Sequence, residues 1–187
     1  MIGATARTEA GGLAPPAEVK VWDPFVRIFH WSLVTLFVVT FATGDEIEWL
    51  HIYAGYAIVA LLAVRILWGF VGPRHARFSD FVKGPGEVAR FLKATLTLKA
   101  PRYLGHNPAG GYMILALLMV ISALCGTGLL MDSDAYWGSK VLERIHEALA
   151  YTAIGLIVLH VAGVIAASIE HRENLARSMV TGWKRSS

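Results

Sequence analysis

An all-α fold, an integral membrane four-helix bundle with both termini in the cytoplasm, is what this sequence predicts. Three observations predict it: an apolar composition, four nearly uncharged windows of membrane-spanning length, and an uneven spread of Lys and Arg between the connections. Of 187 residues, 55% are hydrophobic and only 17% charged, and the mean hydropathy is +0.51. That is too apolar for an ordinary soluble domain of this length. The pI near 9.1 raises nucleic acid as a partner. The basic residues, however, flank the apolar windows, so membrane lipid is the expected partner and nucleic acid is not. The one cysteine, Cys125, sits in an apolar run. It allows no intrachain disulfide, matches no zinc or Cys-x-x-Cys spacing, and reads as a small buried hydrophobe.

Taken in chain order, residues 1–20, with Gly11, Gly12, Pro15 and Pro16, read as a mobile tail. The first apolar window opens only after this polar stretch, with no small-residue cleavage site behind it, so a cleaved signal peptide is not expected. The spans are about 25–43, 50–71, 111–131 and 145–169. Each approaches or exceeds the ~20 residues a helix needs at ~1.5 Å per residue. In lipid they must be helices, because no water is there to bond the backbone. Arg65 is the one charge within the second. Residues 21–170 thus form the membrane domain and 171–187 a C-terminal tail.

The connection between residues 71 and 111 carries Arg74, Arg77, Lys83, Arg90, Lys93, Lys99 and Arg102 against only Asp80 and Glu87. The other two connections carry Asp45, Glu46, Glu48, Asp132, Asp134, Glu143 and Glu147 against Lys140 and Arg144. The positive-inside rule therefore puts both termini and the long middle connection in the cytoplasm. Within that connection "GPGEVARFLKATL" spaces Val88, Phe91, Leu92 and Leu96 as an amphipathic helix does, and an in-plane helix on the inner surface is expected. Trp22, Trp31, Trp49, Trp68 and Trp137 lie near span ends and read as interfacial anchors.

The stretch "ERIHEALAYTAIGLIVLHVAG" holds His146 and His160 fourteen residues apart. Fourteen residues make about 1400° of helix, roughly 40° short of four turns, so both share one face about 21 Å apart. His30 opens the first span on the cytoplasmic side and His51 opens the second on the outer side. Depth alone therefore leaves two level pairs, His30 with His160 and His51 with His146. A proton relay would need carboxylates deep inside the spans, and there are none, Glu147 lying at the very start of the fourth. A compact metal site would bring three or four ligands to one point. Two imidazoles at each of two levels suit bis-histidine haem iron in the core of a bundle. Arg65 follows His51 by fourteen and shares its face; it has two readings, partner of a haem propionate or a side chain snorkelling to the inner surface. Gly55 and Gly163 follow His51 and His160 by four and three residues; they let either a flat macrocycle or a neighbouring helix come close.

"VWDPFVRIFHWSLV", "LHIYAGYAIVALLAVRILWGFVGPRHARF", "GHNPAGGYMILALLM" and "IHEALAYTAIGLIVLHVAG" resemble the prokaryotic cytochrome b-561 family over about residues 20–170. The resemblance implies that His30, His51, His146 and His160 ligate two haem b groups. It also implies a bacterial inner membrane, and exchange of electrons with quinone, such as ubiquinone, and with protein redox partners. "GHNP" is similar to the family pattern too; His106 there reads as a helix cap or as the edge of a quinone site. His75 and His171 read as surface residues.

The function expected is transmembrane electron transfer between the quinone pool and a redox partner. The alternative, an activity found in the family, is a superoxide:quinone oxidoreductase acting at the outer haem. The outer connections hold seven acids against two Lys/Arg. Such a surface repels superoxide and attracts a basic partner such as a c-type cytochrome, although Lys140 and Arg144 near His146 leave room for a local basic funnel.

Overall fold

The computed structural model describes residues 18–44, 46–97 and 99–186. The expected mobile tail over residues 1–17 and the acid Asp45 lie outside them. Strand β1 (Glu18–Lys20) leads into α1 (Pro24–Thr43) and α2 (Glu48–Val71). A 3-10 turn at Arg74–Ala76 and two shorter helices follow, α3 (Phe78–Phe81) and α4 (Pro85–Leu96). Then come α5 (Pro108–Met131), α6 (Lys140–Glu170), α7 (Leu175–Thr181) and strand β2 (Trp183–Arg185). Of these, α1, α2, α5 and α6 are long and apolar enough to cross a membrane.

The long helices begin up to five residues before the apolar windows. Three of them carry a side-chain N-cap, and α2 carries none. Asp23 accepts from Val26 N at 3.1 Å, Asn107 from Gly110 N at 2.7 Å and Ser139 from Leu142 N at 3.5 Å. Pro24 and Pro108 occupy first-turn positions where a missing N–H costs nothing. Asn107, not His106, is therefore the cap of α5. The shorter side chain of asparagine reaches its own helix's N–H groups.

α1 lies against α2, α2 against α5 and α5 against α6. Phe29, Ile58, Leu62, Leu118 and Ile121 form the buried centre, with Cys125 packed against it. These residues come from α1, α2 and α5 alone. Ala153 is the one fully buried residue of α6. Lipid tails are as apolar as leucine, so such contacts hold helices together by packing, not by exclusion of water. Close packing extends to α3: a Cβ at Gly69 would overlap the Phe78 ring.

At one end of the bundle β1 pairs antiparallel with β2, Glu18 opposite Arg185 and Lys20 opposite Trp183. This sheet end binds three distant segments together. Glu173 accepts from Arg102 Nη2 at 3.2 Å and from Arg185 N at 3.0 Å, and Lys184 Nζ lies 3.7 Å away. Lys184 Nζ also donates to Tyr103 O at 3.0 Å, and Ala100 N to Glu170 at 2.9 Å. Burial pushes the Glu173 carboxyl up, but the Arg185 N–H, Lys184 and Arg102 outweigh it and hold the group below the usual carboxylate range. The expected tails are thus folded at residues 18–20 and 175–185. Their partners stand far away in sequence, where no local pattern reports them.

Trp22 is also not an interfacial anchor. It is buried beneath α7, its Nε1 donating to Ser178 Oγ at 3.2 Å. Trp31, Trp49 and Trp137 are exposed, as anchors should be. α4 forms where its periodicity predicts. Val88 and Phe91 face inward, while Leu92 and Leu96 point away from the protein.

Candidate functional site

The tertiary fold brings the four span histidines together two by two. Nearer the sheet end, the rings of His30 on α1 and His160 on α6 have centres 6.5 Å apart. Nearer the far end, those of His51 on α2 and His146 on α6 are 6.0 Å apart. Between the two levels Phe41 and Tyr151 meet edge to face at 6.4 Å. Among the described residues no three His, Cys, Asp or Glu side chains converge, so each level offers two imidazoles.

α6 packs closely on α5 and α7, and not on α1 or α2. The histidine pairs therefore face one another across a gap in the bundle. Gly55 and Gly163 share the faces of His51 and His160, and a Cβ at either would meet nothing within 4 Å.

At the far level both rings are held through Nδ1. His51 Nδ1 lies 2.8 Å from the Thr40 carbonyl, which can only accept, so Nδ1 donates and Nε2 keeps its lone pair. His146 Nδ1 lies 2.9 Å from Thr127 Oγ1. Glycines stand behind both rings: a Cβ at Gly44 would come 3.6 Å from His51 Nδ1, and one at Gly128 3.4 Å from His146 Cε1. At the sheet-end level His30 Nδ1 is buried with no partner among the described residues.

Arg65 does not snorkel. It is 3% exposed, its guanidinium 6.0 Å from the Phe29 ring centre and 5.4 Å from that of Phe78. Nη2 donates to Ala76 O at 3.3 Å, and Nη1 is buried with no partner among the described residues. α3 and the 3-10 turn fold over the helix end and close the route to the surface.

His106 is packed between Trp22 and Phe81, ring centres 4.5 and 5.0 Å away. Burial first, then Arg65, Lys184 and His75, push its pKa down to about 3, so it is neutral at physiological pH. His75 is half-buried, its Nδ1 3.1 Å from Asp80, instead of standing free at the surface. Burial raises the Asp80 carboxyl, and bonds from His75 and Arg74 more than reverse that.

Sequence reasoning did not reach Thr40 or Thr127. Thr40 acts through a backbone carbonyl, which any residue carries. Thr127 did leave a signal, a hydroxyl in an apolar span at the depth of His146.

The sequence profile of the prokaryotic cytochrome b561 family matches residues 21–182. The chain belongs to that family. The match runs on through α7, so the folded segment after α6 is part of what this cytochrome shares with its family. It is 26% identical to a probable Ni/Fe-hydrogenase B-type cytochrome subunit of Rhizobium leguminosarum bv. viciae, over 88% of each chain. With the protein of the same description from Bradyrhizobium diazoefficiens it shares 24% identity over 89% of this chain and 86% of the other. The probable Ni/Fe-hydrogenase 1 B-type cytochrome subunit of Escherichia coli K12 is 24% identical over 88% of this chain and 89% of its own. No solved structure matches the chain.

A cytochrome of b type implies haem b and membrane electron transfer, and the residues present fit that group. A metal–imidazole bond of about 2 Å on either side of an iron puts two ring centres roughly 6 Å apart, as both pairs are. The gap beside Gly55 and Gly163 leaves room for a flat ring system. The unpartnered Nη1 of Arg65 offers a donor to a carboxylate.

Proposed function

We propose that this cytochrome carries electrons across a bacterial inner membrane through two b haems, linking the quinone pool to a redox partner at the outer face. His30 and His160 would hold one haem, His51 and His146 the other. The observation that carries the reading is the meeting of the four histidines as two separate pairs at two depths. The sheet end, with its basic connections, is the cytoplasmic end by the positive-inside rule, so both termini are inside. Residues 21–170 then form the di-haem domain.

Haem, when bound by these histidines, would supply a one-electron carrier. The chain does the rest. Thr40 and Thr127 orient the outer ligands, the apolar helices keep water out, and Arg65 would neutralise a propionate of the inner haem. The partner would be a redox protein with a basic docking face, since the outer connections are acidic. A basic c-type cytochrome fits that description, and the relatives' names add a nickel–iron hydrogenase.

The alternative, superoxide oxidation at the outer haem with quinone as acceptor, needs a basic funnel near His146. Lys140 is instead engaged with Glu143 at 2.7 Å, which leaves Arg144 alone and favours the protein partner.

Haem counting tests the reading. Pyridine haemochrome analysis of purified protein should give two haem b per chain, extractable by acid-acetone because no Cys-x-x-Cys-His attachment motif is present. A ratio of one, or none, would sink it.

A further inference from the structure

We infer that Thr127 is a positioning residue for the outer histidine pair: its hydroxyl holds the proton on His146 Nδ1 and thereby lowers the reduction potential of the haem that His146 ligates. The inference rests on the two-haem reading above and goes beyond it.

Thr127 Oγ1 is 2.8 Å from Leu124 O, a carbonyl of its own helix, and 2.9 Å from His146 Nδ1. A hydroxyl has one proton to give and two lone pairs to receive with. The carbonyl can only accept, so it takes the threonine proton. With the threonine proton there, the lone pairs face His146, and Nδ1 donates to them in the tautomer that ligation through Nε2 requires. That leaves the Nε2 lone pair for iron.

An imidazole whose Nδ1–H is given to an acceptor is a stronger electron donor at Nε2, and such partners of metal-bound histidine tune the metal. A more basic ligand favours ferric over ferrous iron, so the potential falls. Gly128, the next residue, stands beside the same ring: a Cβ built there would lie 3.4 Å from His146 Cε1. Thr127 therefore does more than bond back to its own helix, as threonines in helices often do.

The test is Thr127→Val, which keeps the branched shape and removes the hydroxyl, with Thr127→Ser to restore it. Potentiometric titration of the purified holoprotein reads both haems, the outer one assigned as the component missing from His51→Ala. In Thr127→Val the outer haem's reduction equilibrium should move toward the reduced form by about three- to tenfold, the scale of one net hydrogen bond. At ~59 mV per tenfold for one electron, that is about 30–60 mV upward. The inner haem should not move, the low-spin electron paramagnetic resonance of the outer haem should shift with its potential, and Thr127→Ser should return both. An unchanged outer potential in Thr127→Val, an equal shift of both haems, or a shift that Thr127→Ser does not reverse would overturn the inference. Haem counting on the wild-type protein separates it from its premise. A count of one overturns the two-haem reading, and the response of that single haem to Thr127→Val still decides the role of Thr127.

Discussion

The two histidine levels are built differently. At the far level His51 and His146 each set Nδ1 within hydrogen-bond distance of a protein oxygen, the Thr40 carbonyl and the Thr127 hydroxyl, with a glycine beside each ring. At the sheet-end level His30 Nδ1 and Arg65 Nη1 are buried with no partner among the described residues. A buried polar atom without a partner costs about 1–3 kcal/mol. The far site is thus organised by the chain itself, while the sheet-end site holds polar atoms whose partners a bound group would supply. Under the proposed pairing, one bundle prepares two like histidine pairs in two ways, one held by protein oxygens and one completed by what it binds.

The largest effect that can break this comparison is loss of a whole haem. Under the proposed pairing, His30→Ala and His160→Ala should each remove the same spectral component, and His51→Ala and His146→Ala the other, with haem content near half in every case. Redox titration of the four variants checks this. If His30→Ala and His51→Ala removed one and the same component, the two levels would not be separate sites.

Arg65 sharpens the inner half. Arg65→Met keeps much of the packing against Phe29 and Phe78 but removes the cation. Breaking a buried charge pair costs about 3–5 kcal/mol, so inner-haem loss to apomyoglobin should speed up on the order of a hundredfold or more while the outer haem stays. Equal rates for wild type and variant would reduce Arg65 to a packing residue bonded to Ala76.

A pH effect should separate the capped inner end from the rest. His106 has a folded pKa of about 3 against 6.5 for an ordinary histidine. Below pH 6.5 the unfolded chain therefore binds a proton that the folded chain refuses. Stability contributed by the neutral ring is complete above 6.5 and declines as pH falls toward about 3, by up to ~1.4 kcal/mol per pH unit. Glu173, held below the usual carboxylate range, adds a loss only further down, below its unfolded value and through its folded one. Thermal unfolding between pH 5 and 6.5 should thus show the His106 contribution alone of these two, and His106→Phe should flatten the slope there. A variant with the wild-type slope would show that His106 takes no part in it.

The smallest effect belongs to the outer surface. Neutralising Asp45, Glu46 and Glu48 together should slow association with a basic c-type cytochrome and flatten its salt dependence, since exposed charges steer over only ~8 Å at physiological salt. The haem spectrum should not change. Stopped-flow measurements with the cytochrome and, separately, with superoxide would check it. No change with the cytochrome together with faster superoxide oxidation would favour the enzyme reading.

Much of this was legible in the chain. The four spans stand out because apolar runs of that length have few other uses, and the level pairs follow from counting residues along helices of known direction. His106 and Trp22 depart from their sequence expectations for one reason. A cap and an anchor are defined by neighbours in sequence, whereas each of these rings is packed against the other and against distant aromatic or α7 residues. The folded C-terminal segment was missed likewise, because Glu173 finds Arg102 and Arg185 finds Glu18 only after the chain has crossed the membrane four times.

The short helices α3 and α7 escape a reading of residue types alone, which fixes the four long apolar helices and the histidines that share a level. These are properties of hydropathy and of the constant rise per residue, which act along a single segment. Only the tertiary structure decided which atoms those histidines lean on. Whether Thr40 or Thr127 lies within 3 Å of an imidazole nitrogen depends on how α1 sits against α2 and α5 against α6. A hydrogen bond is made or lost over less than 1 Å, a tolerance far finer than any pattern of residue types can specify.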